Sequence, residues 1–181
     1  DMALVPVGSL VDFSDLSLLS DYCIGADGPV DSVFIFAHQP IETLDTIVMD
    51  AHSRTSNGLA RVLMANHWQL QPNFVAPKGK SFEAIQGNTG AVSIGDKAYN
   101  IRHAFPYQYE LSEGWKAYTG LPFAFAVWAW WPDRVSTDRV QAIRKALHAG
   151  VIQREESAHK YAAEFGYTVP QALHYLNTSI Q

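Results

Sequence analysis

Cysteine is nearly absent. Cys23 is the single thiol in 181 residues, so no disulfide forms within the chain and nothing demands an oxidising compartment. The residue reads as a small buried hydrophobe. A basic excess is missing as well. Thirteen Lys and Arg stand against 18 Asp and Glu, a formal net charge of −5, which argues against a general nucleic-acid binder. A small anion stays compatible, because local groups rather than net charge decide its binding. Long apolar runs are also lacking. The richest, Leu121 to Trp131, is too short for a membrane span and contains Pro122. No signal peptide is visible. The expectation is a chain with neither nucleic acid nor membrane as partner. Asp1 opens directly into a strand-like run, Met2–Val7, as the middle of a domain does.

The familiar catalytic signatures are missing too. Seven histidines, His38, His52, His67, His103, His148, His159 and His174, form no HExxH and no pair with ligand spacing on one helix face. No metal site is expected from them. Neither a Walker-type loop nor a strand–GxGxxG–helix is present, and no GxSxG elbow argues for a serine hydrolase. No cofactor is expected.

What is there is a regular alternation of apolar runs and helix-like segments. Val33–Phe36, Thr46–Met49, Asn73–Val75 and Gly90–Ile94 read as strands. Leu59, Val62 and Leu63 mark an amphipathic helix that ends near His67. The run Leu121–Trp131 reads as a strand buried on both faces. Thr137–Ala149 and Gln153–Phe165 read as two helices split at Gly150, with Val140, Ile143 and Leu147 on one face of the first. Pro170 sits in the first turn of a last helix. This order predicts an α/β fold with a mostly parallel sheet, whose ligands sit beyond the carboxyl ends of its strands.

Two turns follow predicted strands. Ser53-Arg54-Thr55-Ser56 joins a strand to a helix, where free amides and the positive end of the helix dipole suit a carboxylate or phosphate. The competing reading is that one hydroxyl simply caps the helix. Gly95-Asp96 closes another strand, and Asp96 is read first as a helix cap and second as an acid or base. The aromatic crowd Phe123, Phe125, Trp128, Trp130 and Trp131 reads as core.

Several stretches together resemble the menaquinone-biosynthesis family of the futalosine route. They are Leu4–Leu10, Asp27–Val33, Leu44-Asp45 with Ser53–Ser56, Ile94–Ala98, and the long Gly114–Trp128 segment. The resemblance runs along almost the whole chain and in the family's order. It implies a two-lobed fold like type II periplasmic binding proteins, with a ligand cleft between the lobes. One lobe would comprise residues 1–38 and 121–181, and the other residues 39–120. It further implies that a strand–helix unit bearing an active-site asparagine normally precedes the first residue here, so that this chain lacks it.

The implied reaction is loss of water from chorismate, a dianion, to give 3-[(1-carboxyvinyl)oxy]benzoate in a cytoplasmic lyase. Aromatisation supplies the driving force. Under the resemblance Ser32 is the catalytic position, and Ser53, Arg54, Thr55, Ser56, Gly95, Asp96 and Thr119 are substrate-binding. Asp96, His52 or the substrate's own enolpyruvyl carboxylate would take the C3 proton. Two alternatives stand beside this reading. One is 1,4-dihydroxy-6-naphthoate synthase of the same pathway, whose usual turn is a His-Thr-Thr type where Ser53–Ser56 stands. The other is a solute-binding protein that captures a small anion without turnover.

Overall fold

The computed structural model describes residues 1–179. Ile180 and Gln181, the end of the expected 121–181 segment, lie outside them. In chain order the elements are β1 (Met2–Pro6), β2 (Ser17–Ala26), β3 (Val33–Ala37), β4 (Thr46–Val48) and α1 (Arg54–Asn66). Then come β5 (Asn73–Val75), β6 (Thr89–Ile94), α2 (Gly95–Ile101), β7 (Tyr107–Glu110) and α3 (Leu111–Thr119). β8 (Phe123–Trp130), α4 (Thr137–Ile152), α5 (Arg154–Tyr161) and α6 (Val169–His174) complete the chain. The fold is mixed α/β. No helix among the described residues is long and apolar enough to cross a membrane.

The chain divides into two compact units, Asp1–Ala26 with Ala124–Gln181, and Asp27–Phe123. The unit boundaries fall at Ala26–Asp27 and Phe123–Ala124, where the resemblance implied 38/39 and 120/121. The reason for the first difference is β3. Residues 33–37 pair with β6 on one side and β7 on the other, so they belong inside the second unit's sheet.

That sheet has five strands in the order β5-β4-β6-β3-β7. β4 is parallel to β5 and β6, while β3 runs antiparallel to β6 and β7. The sheet is therefore mixed, not mostly parallel. Residues 38–45 are too short a link for the crossover that parallel strands need, so β4 runs opposite to β3. The result matters for function. The carboxyl ends of β4, β5, β6 and β7 and the entry to β3 all lie at one end of the sheet.

Phe34, Phe36, Val48, Ile85, Ala91 and Ala98 form the core on one face, with Phe82, Ile101 and Phe105 packed on it. α1 buries Leu59, Ala60, Leu63 and Met64, the spacing of one helical face. Gly114 of α3 leaves room for Leu63, whose Cδ1 a Cβ there would meet at 3.3 Å.

The first unit holds a three-stranded sheet, β1-β8-β2, with Met2 opposite Trp130 across an antiparallel pair. Its core is Leu19, Val135 and Val140, covered by Met2, Trp128, Trp130, Ile143 and Leu147. The predicted face of α4 is thus the packed one. β8 is central but half-buried along most of its length, with Ala129 its one fully buried residue, so it is not a strand buried on both faces. Gly150 does not split the helices. α4 continues through it to Ile152 and the break falls at Gln153, because a single glycine costs a helix only about 1 kcal/mol.

Candidate functional site

The β4–α1 connection begins at Asp50, whose carboxylate is buried. Its backbone amide donates to Asn57 Oδ1 at 2.8 Å, and Asn57 Nδ2 donates back to the Asp50 carbonyl at 2.8 Å. Asp50 Oδ1 accepts the His52 N–H at 2.9 Å. These bonds fold residues 50–53 into a tight loop that delivers Ser53 to the start of α1. There Ser53 is the cap. Its Oγ accepts the Ser56 N–H at 3.1 Å and its hydroxyl donates to Ser56 Oγ at 2.8 Å. Thr55 and Ser56 are buried and Arg54 is exposed. The cap reading of this turn therefore holds for Ser53. The helix's positive end remains beside it.

The second stretch follows β6. Gly95 has φ +68°, the left-handed region that favours glycine, and its N–H donates to the Ser32 carbonyl at 2.7 Å. Ser32, half-buried, follows Asp31, another left-handed residue at φ 59°. Asp31 is 3.7 Å from the Arg102 guanidinium. Asp96 does not cap α2. The helix starts one residue earlier, at Gly95, with Ile94 in the cap position and no side-chain cap bond, so Asp96 lies exposed within the first turn.

Lys97 joins the two stretches. Its Nζ lies 2.5 Å from Asp50 Oδ2. The contacts thus run from Ser32 to Gly95, along α2 to Lys97, and through Asp50 and His52 to Ser53. Seven of the eight residues singled out in the sequence, all but Thr119, lie along this one end of the sheet. A pocket of about 490 Å³ opens there, lined by Ala51, His52, Gly79, Lys80, Ser81, Phe82 and Lys97. Ser81 is fixed by donating its hydroxyl to the Val92 carbonyl at 2.7 Å. Asp50 and Lys97 meet only across the sheet end, so nothing local in the sequence announced the pair, and Lys80 joins them only through the pocket lining.

Thr119 stands apart. It ends α3, whose nine residues carry it roughly 12 Å along the helix axis from the sheet end. Its Oγ1 donates to the Trp115 carbonyl at 2.8 Å and accepts the Leu121 N–H at 3.1 Å, a local helix-end role.

Glu110, at the same sheet end as Ser32, was also missed. It caps α3 by accepting the Glu113 N–H on Oε2 at 2.5 Å, while Oε1 is buried without a hydrogen-bond partner among the described residues. Burial pushes its carboxyl up to about 8, and the nearby amides of Glu113 and Val30 oppose that shift only in part. No three His, Cys, Asp or Glu among the described residues are grouped to hold a metal ion.

This architecture is shared with solved structures. A protein from Archaeoglobus fulgidus matches with a TM-score of 0.68 at 16% identity, covering 97% of this chain and 67% of that one. An ABC transporter from Parabacteroides distasonis matches with a TM-score of 0.56, also at 16% identity, covering all of this chain and 68% of that one. At these identities the likeness is one of fold. Residues 1–180 match the family described as menaquinone biosynthesis, and the chain belongs to that family. It is 28% identical over 179 residues to the chorismate dehydratase of Thermus thermophilus. That alignment covers 89% of this chain, which spans 65% of the relative's length.

Proposed function

We propose that the chain is part of a chorismate dehydratase, a lyase that removes water from chorismate in the futalosine-dependent route to menaquinone. The two-lobed, periplasmic-binding-protein-like organisation implied by the resemblance, and a cytoplasmic setting, belong to the same proposal. One observation supports it above the others. The Gly95–Ser32 hydrogen bond and the Lys97–Asp50 ion pair gather residues from three separate stretches at one end of a single sheet.

In this reading the turn at Ser53–Ser56 and the amino end of α1 seat one carboxylate of the dianion. Ser32 hydrogen-bonds the reacting ring and helps the C4 hydroxyl depart. The substrate's own enolpyruvyl carboxylate takes the C3 proton and gives it up to the departing C4 oxygen as the C4–O bond breaks, so water leaves, the carboxylate is regenerated and the ring becomes aromatic. Positioning supplies much of the acceleration. Thr119, spent on its own helix end, is the weakest member of the proposed set.

The test is incubation of the full-length protein with chorismate, followed by mass spectrometry. Loss of one water to the enolpyruvyl benzoate supports the lyase. Binding with chorismate recovered unchanged overturns it and favours anion capture.

A further inference from the structure

The pocket beside the Ser53 turn gathers nitrogen donors from separate stretches of the chain. His52, Lys80 and Lys97 line it, Phe82 contributes an apolar ring, and its volume of about 490 Å³ is within the span of small-molecule sites. Two acids face these bases. Glu83 lies 3.7 Å from Lys80 in an exposed pair worth little, and Asp50 lies against Lys97.

The two lysines differ in a decisive way. The Lys80 side chain is 70% exposed, whereas that of Lys97 is 33% exposed and leans on a carboxylate with no exposure at all. Asp50 is itself locked by Asn57 and by the His52 amide. An ammonium has three donors. The ion pair with Asp50 fixes the lysine before any ligand arrives, so binding costs less side-chain entropy.

We propose that this pocket seats the second carboxylate of the substrate, with Lys97 touching it, Lys80 supporting it and Asp50 acting as the positioning residue. The proposal deepens the reading above and rests on it for the identity of the dianion. It makes Lys97 the group that selects a dicarboxylate over a monocarboxylate.

The test is calorimetric titration of the full-length protein with isophthalate, an inert aromatic dicarboxylate, and with benzoate, its monocarboxylate counterpart. The unsubstituted protein is expected to prefer isophthalate. Lys97→Met should weaken isophthalate about ten- to a hundredfold, the scale of one hydrogen bond to a charged group, and change benzoate less than twofold. Lys97→Arg should restore most of the preference. Asp50→Asn, which keeps an acceptor for His52 but frees the lysine, should lose a few-fold, and chorismate should show the loss in KM more than in kcat.

Because Lys97→Met leaves Asp50 buried without its cation, circular dichroism must show a folded variant. If it does not, Asp50→Asn with Lys97→Met and Lys97→Arg alone carry the comparison. No preference in the unsubstituted protein, or equal effects on both ligands, overturns the proposal. A dianion preference that Lys97→Met abolishes, in a protein that leaves chorismate unchanged, keeps the pocket and removes the lyase. Normal dehydration with unchanged KM in Lys97→Met removes the pocket and keeps the lyase.

Discussion

The Gly95 amide donates to the Ser32 carbonyl at 2.7 Å, one step beyond the last paired residues of β3 and β6, Val33 and Ile94. The bond holds the serine by its backbone, at the point where the chain enters the sheet. What Ser32 contributes to the fold is thus separable from the chemical role proposed for its hydroxyl.

That separation makes Ser32→Ala informative. The substitution keeps the carbonyl and with it the Gly95 bond, so thermal stability should hold within a few degrees. Turnover of chorismate should fall on the order of a hundredfold or more, as for loss of a group acting on the reacting atoms. A variant with full turnover removes Ser32 from the catalytic role.

The Ser53 cap predicts a different pattern. Ser53→Ala deletes the acceptor for the Ser56 amide and should cost about 1 kcal/mol in urea unfolding. Ser53→Asp restores the cap and places a negative charge where the carboxylate is proposed to sit. It should match the unsubstituted protein in stability while losing chorismate affinity at least tenfold. Equal affinity in Ser53→Asp refutes the anion seat and leaves the residue a cap alone.

Much of the second unit was legible in the sequence because its elements carry strong local patterns. Val33–Ala37 is buried at every position, and α1 has its apolar face and a serine cap. β2 was not legible, since Ser-Leu-Leu-Ser-Asp-Tyr-Cys-Ile-Gly-Ala keeps no strict alternation. β7, Tyr-Gln-Tyr-Glu, is polar and becomes a strand by pairing with β3. α3 went unread in a segment dominated by its resemblance to a family. The direction of β3 is a tertiary outcome that no local pattern states. The site divides the same way. Ser53–Ser56 and Gly95 announce themselves as turns after strands, whereas Asp50 and Lys97 become a pair only when β4 and β6 lie side by side.

Gly95 tests the backbone itself. Nothing lies within 4 Å of where its Cβ would stand, so Gly95→Ala meets no clash and its cost is conformational. With φ at +68° that cost should be about 1–2 kcal/mol, and Gly95→Asn should recover part of it. Urea midpoints of the three proteins should rank Gly, Asn, Ala. An alanine variant as stable as glycine contradicts the left-handed geometry.

Glu110 sets the pH dependence. In the unfolded chain its carboxyl titrates near 4.5, and burial raises it to about 8 in the fold. Between those values the native state holds a proton that the unfolded state has released, so stability falls as pH rises. The native state's advantage is complete below about pH 4.5 and lost above about pH 8, at a slope of up to about 1.4 kcal/mol per pH unit. Glu110→Gln keeps an oxygen to accept the Glu113 amide and removes the titration. Urea unfolding from pH 5 to 8.5 should therefore decline more steeply for the unsubstituted protein than for Glu110→Gln, with the variant relatively more stable at the alkaline end. Parallel curves would mean that Glu110 is ionised in the fold across the whole range, and that some other group satisfies its buried Oε1.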